Sequence, residues 1–446
     1  MDIKIPQYVE FILNRLEEEG YESYLVGGCI RDILMDKVPQ DFDITTNALP
    51  EQIQSVFNNI KTIDVGKKFG TIIVLSEGHR VEVTTFRVEG SYSDGRRPDW
   101  VNFCTDIKKD LSRRDFTINA LAYNKTEGIV DPFHGMEDLN NEIIQTVGDP
   151  EERFKEDYLR ILRAIRFSCE LKFKIERKTY LSGKKNADKI RDISMERIQK
   201  EFFKMLLSET PSTGIRLMEE MGVLKIIIPE IIPAIGFDQK NPHHDKDVYN
   251  HILCVLDNTP SVLSIRLAAL FHDIGKPYTF TVDEKGIGHF YNHDKKGAEI
   301  TEEILERFKC SKELTEEVRE LVELHMKHGR NFGDKGLKRL IRRMGKEKIF
   351  SLFTLQKADK KCSSGDYEFE HIIQMENRTK EIIKNKEAFQ LKDLDIDGRD
   401  LINLGYREGK VIGEILNYLL EEVMGNSKLN KKKSLIELVN RRYPLK

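Results

Sequence analysis

Residues 25–44 read LVGGCIRDILMDKVPQDFDI, and no other run constrains the fold as tightly. Tyr24-Leu25-Val26 is strand-like, Gly27-Gly28 ends it, and Arg31 falls on the first turn of a predicted helix. Asp41 and Asp43 are separated by one residue, so on a returning strand both side chains take one face while Phe42 takes the other. The glycines lack side chains and let backbone N–H groups approach a triphosphate, and a helix N-terminus adds positive potential there. Two hard oxygen ligands on one face suit Mg²⁺, which prefers carboxylates plus substrate phosphates to an all-protein cage. The unit is built for nucleotidyl transfer.

Strand-like runs are confined to the first third, at 22–26, 41–45, 71–75, 80–86 and 117–123, with helical patterns at 6–19 and 50–57. Beyond residue 150 the periodicity is helical, as at 156–170, 194–208, 248–257, 261–272 and 296–308. Strands first and helices later predict an α+β class: a head with a small mixed sheet, then all-α domains. Loops rich in Gly, Pro and Asn at 236–243 and 283–293 mark a boundary and an irregular insertion. The expected division is a head (1–148), a helical segment (149–235), a second helical domain (236–368) and a helical tail (369–446).

With 446 residues and a net charge of only −3, any nucleic-acid surface must be local. Residues 151–206 carry 16 Lys/Arg against 10 Asp/Glu, and 428–446 carry seven Lys/Arg against Glu437 alone. Lys431, Lys432, Lys433, Arg441 and Arg442 are the candidate phosphate contacts of the tail. The six cysteines (29, 104, 169, 254, 310, 362) show no CxxC spacing, which argues against a zinc cluster or disulfide framework. Free thiols in a reducing cytoplasm are expected. The start MDIKIPQYVE lacks a signal peptide's basic start and apolar core. The most apolar stretch, 223–237, is interrupted by Lys225, Pro229, Glu230 and Pro233, so no membrane span is expected.

Glu82, in RVEVTTFR, alternates with Val81 and Val83 and so points away from them, either to solvent or towards the aspartates as a third carboxylate. In LSRRDFTINALAY (111–123), Arg114 suits a phosphate clamp, because a guanidinium fork binds phosphoryl oxygens bidentately. Asp115 and Asn119 would fix that arginine or the ribose. DPFHG (131–135) and Asp138 most simply close the head. A helix through EDYLRILRAIRF (156–167) puts Tyr158, Leu159, Ile161, Leu162 and Ile165 on one side. Asp157, Arg160 and Arg163 take the other, with Arg166 at the border. As i, i+3 neighbours, Asp157 and Arg160 pair an acceptor with a donor. That pattern suits cytosine and adenine, whereas uracil and guanine present its reverse and leave buried partners unpaired. On its own a DxxR pair is equally an ordinary surface salt bridge.

LVGGxxRD, DFDI, RRDFTINA, EDYLRILRAIRF and MERIQKEF (195–202) together resemble the bacterial CCA-adding enzymes. These are tRNA nucleotidyltransferases of the tRNA nucleotidyltransferase/poly(A) polymerase family, in the polymerase-β-like superfamily, and the likeness covers residues 20–230. It implies a polymerase-β-like head followed by neck, body and tail, with body and tail gripping tRNA by shape. The implied activity is template-independent addition of C, C and A to the tRNA 3′ end from CTP and ATP. By this resemblance Asp41 and Asp43 are catalytic and bind Mg²⁺. Gly27, Gly28, Arg31, Arg114, Asp157, Arg160, Arg163 and Arg166 form the nucleotide site. The stretch 87–99 matches the family's flexible loop, which argues against a variant restricted to adding CC.

VYNHIL (248–253), LAALFHDIGKP (267–277) and QKADKK (356–361) resemble an HD-domain phosphohydrolase core. On that resemblance His251, His272, Asp273 and Asp359 are metal ligands, and imidazole plus carboxylate suits Mn²⁺, Ni²⁺, Fe²⁺ or Zn²⁺ as a second divalent metal. His293, His325 and His328 lie on nearby helical segments and are expected at the surface. Rival readings remain: a poly(A) polymerase or A-adding enzyme, which shares the nucleotide motifs; an RNA-end phosphohydrolase whose head only binds RNA; and a non-enzymatic chaperone that binds tRNA by shape.

Overall fold

The computed structural model describes residues 3–90, 100–240, 247–328, 332–363 and 370–445, so residues 91–99 of the expected loop 87–99 lie outside the described residues. The chain divides into two units, Met1–Pro229 and Glu230–Lys446.

The first unit opens with α1 (Gln7–Glu18), whose Val9, Ile12, Leu13 and Leu16 recur at helical spacing and bury one face. It continues through β1 (Ser23–Val26), α2 (Gly28–Leu34), β2 (Asp43–Thr46), α3 (Pro50–Val56), β3 (Thr62–Gly66), β4 (Thr71–Ser76) and β5 (His79–Thr85). Then follow β6 (Arg87–Glu89), β7 (Val101–Phe103), α4 (Ile107–Ser112), β8 (Ala122–Asn124), β9 (Gly128–Val130) and α5 (Gly135–Asn140). Seven of these strands form a mixed sheet in the order β3-β4-β5-β2-β1-β8-β9, in which β2 and β5 are parallel. Period-two alternation decides its faces. Leu25, Ile44, Val81 and Val83 join residues of α1 and α3 in one core, while Tyr24, Val26 and Ala122 meet Phe86, Ile107 and Leu111 on the other side. The expected strand at 117–123 is only partly one: Thr117–Asn119 is a 3₁₀ turn and β8 begins at Ala122. Asp131 accepts from the Gly135 and Met136 amides, and Asp138 from the Thr117 hydroxyl, which closes the head as expected.

A helical segment completes this unit: β10 (Ile143–Ile144), α6 (Pro150–Glu156), α7 (Leu159–Leu171), β11 (Lys174–Ile175), α8 (Arg177–Lys185), α9 (Met195–Leu206), α10 (Pro211–Glu220) and α11 (Leu224–Ile227). The continuous helix expected over 156–170 is broken. Asp157 is extended (φ −154°, ψ 103°) and its Oδ1 accepts from the Leu159 amide at 3.0 Å, so it ends α6 and caps α7. α7 is buried on nearly every side, with Phe167 and Leu171 packed among Phe116, Ile118 and Ile144.

The second unit contains α12 (Val248–Asp257), α13 (Leu263–Phe271), α14 (Lys276–Thr279), β12 (Phe280–Val282), β13 (Gly288–Phe290), α15 (His293–Arg307) and α16 (Lys312–Leu324). After them come α17 (Asp334–Met344), α18 (Ile349–Cys362), α19 (Glu370–Lys384), α20 (Gly398–Asn403), α21 (Lys410–Gly425) and α22 (Lys432–Arg442). α13, buried on every side from Ser264 to Phe271, packs against α12, α15, α16 and α18. α20, α21 and α22 share a separate core of Leu401, Ile415, Leu419, Val423, Leu435 and Val439.

Two expectations fail here. The irregular insertion at 283–293 includes the turn of an antiparallel hairpin, β12–β13, so strands are not confined to the first third. Phe280 and Phe290 face each other across it (5.4 Å) and Phe237 meets Phe280 edge-on (5.1 Å); this packing holds strands too short to signal themselves. Nor are all cysteines free. Cys254 of α12 and Cys362 of α18, 108 residues apart, form a disulfide with Cα atoms 5.8 Å apart, brought together by helix packing that no local spacing reveals. Cys29, Cys104, Cys169 and Cys310 form no disulfide. Among the described residues no helix is long and apolar enough to cross a membrane.

Candidate functional site

Gly27 links β1 to α2 with φ +82°, a conformation strained for any other residue. A Cβ there would lie 3.0 Å from Arg114 Nη1, so glycine also admits the guanidinium to the turn. Arg31 folds back over Gly28 and donates to Asn119 Oδ1 (2.8 Å) and Asp32 Oδ1 (2.9 Å). β2 begins at Asp43, not Asp41, but the alternation extends one step further: Asp41 and Asp43 are exposed and Phe42 between them is buried. Asp43 pairs in register with Val26, next to the glycine turn, and with Glu82 on parallel β5. Its carboxyl is pushed up to about 6 by desolvation and by the Glu82 charge; Asp41 adds to the rise and Arg114 opposes it. The three carboxylates therefore share one field, with Glu82 a member. Oxygen donors that repel one another in this way fit Mg²⁺, which relieves the repulsion.

Asp110, which sequence reasoning missed, is fully buried behind this group. It accepts from Arg113 Nε (3.0 Å) and Nη2 (2.8 Å), from the Arg87 amide (3.2 Å) and from Arg114 Nη2 (3.5 Å). Burial alone would raise its carboxyl, yet Arg113 and Arg114 hold it below the usual range. The signal was its i, i+3 and i, i+4 spacing to the two arginines. Arg114 keeps a buried Nε with no hydrogen-bond partner among the described residues, a donor suited to a phosphoryl oxygen.

The arginines of α7 are held by partners from three other segments. Asp115 accepts from Arg163 Nε (2.8 Å) and Nη2 (2.6 Å) and from Asn119 Nδ2 (3.2 Å). Burial opposes ionisation of this carboxyl, but Arg163 and Arg160 keep it far below its ordinary value. Glu201 of α9 takes Arg166 Nε (2.6 Å) and Arg163 Nη1 (3.4 Å), while Glu170 takes Arg166 Nη1 (2.5 Å). Arg31, Arg163 and Arg166 all lie over the Phe167 ring, at 5.1, 5.3 and 3.9 Å from its centroid. The expected Asp157–Arg160 pair does not form. Asp157 Oδ2 accepts from Arg197 Nη2 (2.6 Å), whereas Arg160 donates to Glu156 and to the carbonyls of Arg153 (3.0 Å) and Arg113 (3.1 Å). The backbone turn between them persists (Arg160 N–H to Asp157 O, 3.0 Å), but each side chain is engaged by another partner. Arg197 and Glu201 were also missed; their i, i+4 spacing in MERIQKEF, opposite in charge to Asp157 and Arg166, was the available signal.

In the second unit, His251, His272, Asp273 and Asp359 converge as expected. His251 Nε2 lies 3.2 Å from His272 Nε2, 3.4 Å from Asp273 Oδ2 and 3.0 Å from Asp359 Oδ1. Against expectation, His293 and His325 are buried beside them and face the other oxygen of Asp273: Oδ1 is 3.5 and 3.8 Å from their Nε2 atoms. The sequence offered no register for this. α15 is seated by Gly275, where a Cβ would lie 2.3 Å from the His293 carbonyl oxygen. His328 stays half-buried against His371 (3.3 Å).

His272, His293 and His325 each donate Nδ1–H to a backbone carbonyl, of Ala269 (2.8 Å), Phe290 (2.7 Å) and Val322 (2.6 Å). Their Nε2 lone pairs are thereby turned inward, the second-sphere arrangement of metal-bound histidines. His293 and His325 Nε2 are 3.3 Å apart, and donors about 2.1 Å from one ion stand about 3.0–3.4 Å apart. Burial beside His272 and His293 holds His325 at about 3, so it is neutral and able to ligate. Burial lowers His272 too, but Asp273 and Asp359 outweigh it and its net shift is upward. Lys276 and His272 hold Asp273 well below the ordinary carboxylate value despite its burial. The cluster's donor set fits divalent transition metals.

On the tail, Lys431, Lys432, Lys433, Arg441 and Arg442 are exposed around α22, with Lys432 Nζ 2.6 Å from Asp400.

Three family models match in order: a Poly A polymerase head domain over residues 23–145, a probable RNA and SrmB-binding site of polymerase A over 172–235, and a putative tRNA nucleotidyltransferase domain 2 over 289–439. A CCA-adding enzyme of Lactobacillus helveticus is 52% identical over 194 residues; the match spans 44% of this chain and about half (48%) of that one. A CCA-adding enzyme of Ligilactobacillus salivarius is 33% identical over 431 residues, covering 96% of this chain and 94% of its own. The crystal structure of the Bacillus stearothermophilus CCA-adding enzyme in complex with CTP superposes with a TM-score of 0.74 at 26% identity, covering 98% of both chains.

Proposed function

We propose, from the premise that this chain belongs to the CCA-adding enzyme family, that it adds C, C and A to the 3′ end of tRNA without a nucleic-acid template, using CTP and ATP. The observation that carries the reading is Asp43, set between Glu82 and the Gly27 turn with Arg114 alongside. Asp41 and Asp43 would hold Mg²⁺ beside Glu82. When bound, the ion neutralises the triphosphate and favours ionisation of the primer 3′-hydroxyl for in-line attack on the α-phosphorus. Arg114 presents its spare Nε–H to phosphoryl oxygens, and the Gly27-Gly28 backbone borders them without side chains. Asp157 and Arg160 read the base by exchanging partners they already hold. Arg197 on Asp157 stands in for the exocyclic amine of cytosine or adenine, and Glu156 on Arg160 stands in for the ring nitrogen. Arg31, Arg163 and Arg166, braced by Asp115 and Glu201, supply positive charge around the nucleotide. Work in the cytoplasm suits a tRNA substrate. The test is tRNA lacking CCA with each nucleotide supplied singly: CMP incorporation is expected first and should vanish in Asp41→Ala with Asp43→Ala. Incorporation of AMP alone would favour the A-adding or poly(A) reading.

The histidine cluster supports a second activity. His251, His272, Asp273, Asp359, His293 and His325 would hold divalent transition metal on either side of Asp273. Such a metal, when bound, polarises a phosphoryl oxygen and supplies hydroxide near neutral pH, as phosphomonoester or 2′,3′-cyclic phosphate hydrolysis requires. Lys276 Nζ, 2.7 Å from Asp273 Oδ2, keeps that carboxylate ionised. Phosphate release from RNA ends should require Mn²⁺ or a related ion and disappear in His272→Ala with Asp273→Ala, while CMP incorporation persists.

A further inference from the structure

His251 and Cys254 are three residues apart on α12, and Asp359 and Cys362 are three apart on α18. Each disulfide cysteine therefore sits one helical turn beyond a ligand of the histidine cluster. The two helices are tied twice within that turn: through His251 Nε2 and Asp359 Oδ1, 3.0 Å apart, and through the Cys254–Cys362 bond. The Asn258 side-chain amide touches both sulfurs, at 3.7 and 3.5 Å. Cys362 is buried while Cys254 is half-buried, so an attacking thiol has access at Cys254. Disulfides in reducing compartments are characteristically transient, serving catalysis or redox sensing rather than structure.

We propose that Cys254–Cys362 is a thiol–disulfide exchange site whose state sets the metal affinity of the adjoining cluster. This rests on reading that cluster as a metal centre. The reagent class is a low-molecular-weight thiol. Its thiolate bonds to Cys254 Sγ as the sulfur–sulfur bond breaks, and the electron pair leaves on Cys362 Sγ, which takes up a proton. A second thiolate attacks the small-molecule sulfur of the mixed disulfide, and Cys254 leaves as thiolate and is protonated. Overall the protein disulfide gains two electrons and two protons, and two thiols become one small disulfide. Once opened, α12 and α18 keep their packing and the His251–Asp359 contact, which loses its brace one turn away.

The test poises the full-length chain in reduced and oxidised glutathione, counts free thiols by mass labelling, and measures Mn²⁺ binding by calorimetry. The expected result is two protected thiols in the oxidised form and about ten-fold weaker Mn²⁺ binding after reduction, as when an outer-sphere support of a metal site is removed. Cys254→Ser and Cys362→Ser should bind Mn²⁺ like the reduced form in either buffer, with CMP incorporation unchanged as the check on folding. If buried Cys362→Ser does not fold, Cys254→Ser and reduction of the unaltered chain carry the test. Equal Mn²⁺ affinity of both forms, or no protection of Cys254 at any glutathione ratio, overturns the proposal. Absence of Mn²⁺ binding in both forms, matching a His251→Ala control, overturns the metal-centre reading beneath it.

Discussion

At the scale of residues, the carboxylates of the head are set apart by whether like or opposite charges surround them. Asp43, raised to about 6, is the clearest case. Protons compete with Mg²⁺ for it, so the Mg²⁺ needed for half-maximal CMP incorporation is expected to climb as pH falls through about 6. Glu82→Gln removes one repelling charge and should move that midpoint to lower pH. In the metal-free protein the sign for stability is the reverse of a salt bridge. The folded state takes up the proton first, so this contribution strengthens as pH falls through about 6 and is lost above it. Asp115 behaves oppositely. Held low by Arg163 and Arg160, it stabilises the fold above the ordinary carboxylate range and ceases to do so as pH drops below it. Asp115→Asn leaves half-buried Arg163 with only its longer Glu201 contact and is expected to cost about 1–3 kcal/mol, measured by urea unfolding.

At the scale of elements, the break between α6 and α7 decides more than either helix does. The apolar period runs through it undisturbed, so periodicity predicts one helix; the Asp157 side chain, capping the Leu159 amide, makes two. Asp157→Ala should therefore cost about 1 kcal/mol from the lost cap and also free Arg197. Asp157→Asn retains a capping oxygen but supplies a donor at the second position. It is expected to weaken CTP use and so narrow the preference over UTP, whose N3–H Arg160 still meets donor to donor, while preserving most of the stability; single-nucleotide incorporation and thermal melting together would read this. A variant with unaltered nucleotide preference would remove Asp157 from base selection. The hairpin β12–β13 gives the same lesson from the other side. Its strands are three residues each, too short for a period of two to register, and are held by the packing of Phe237, Phe280 and Phe290.

At the scale of the whole molecule, the carboxylate cluster and the histidine cluster each draw all their residues from a single unit. The net charge of −3 means that RNA affinity must come from local basic surface, and α22 provides one such stretch. Replacing Lys431, Lys432 and Lys433 with Gln should weaken tRNA binding and flatten its dependence on salt, by about 0.7–0.9 in the log–log slope for each phosphate no longer neutralised. An unchanged slope would remove α22 from the RNA surface. The sequence alone was sufficient for what a short-range period carries: the glycine turn, the face shared by Asp41 and Asp43, and Glu82 on the face opposite Val81 and Val83; the grouping of His251, His272, Asp273 and Asp359 came from a resemblance instead. What it left undecided is which side chain meets which. Arg197 on Asp157, Glu201 across Arg163 and Arg166, His293 and His325 on the far oxygen of Asp273, and Cys254 on Cys362 are pairings between distant segments, 108 residues apart for the disulfide. They depend on where whole elements come to rest, and that is settled by packing of their apolar faces, which no local spacing of charged or sulfur-bearing residues encodes.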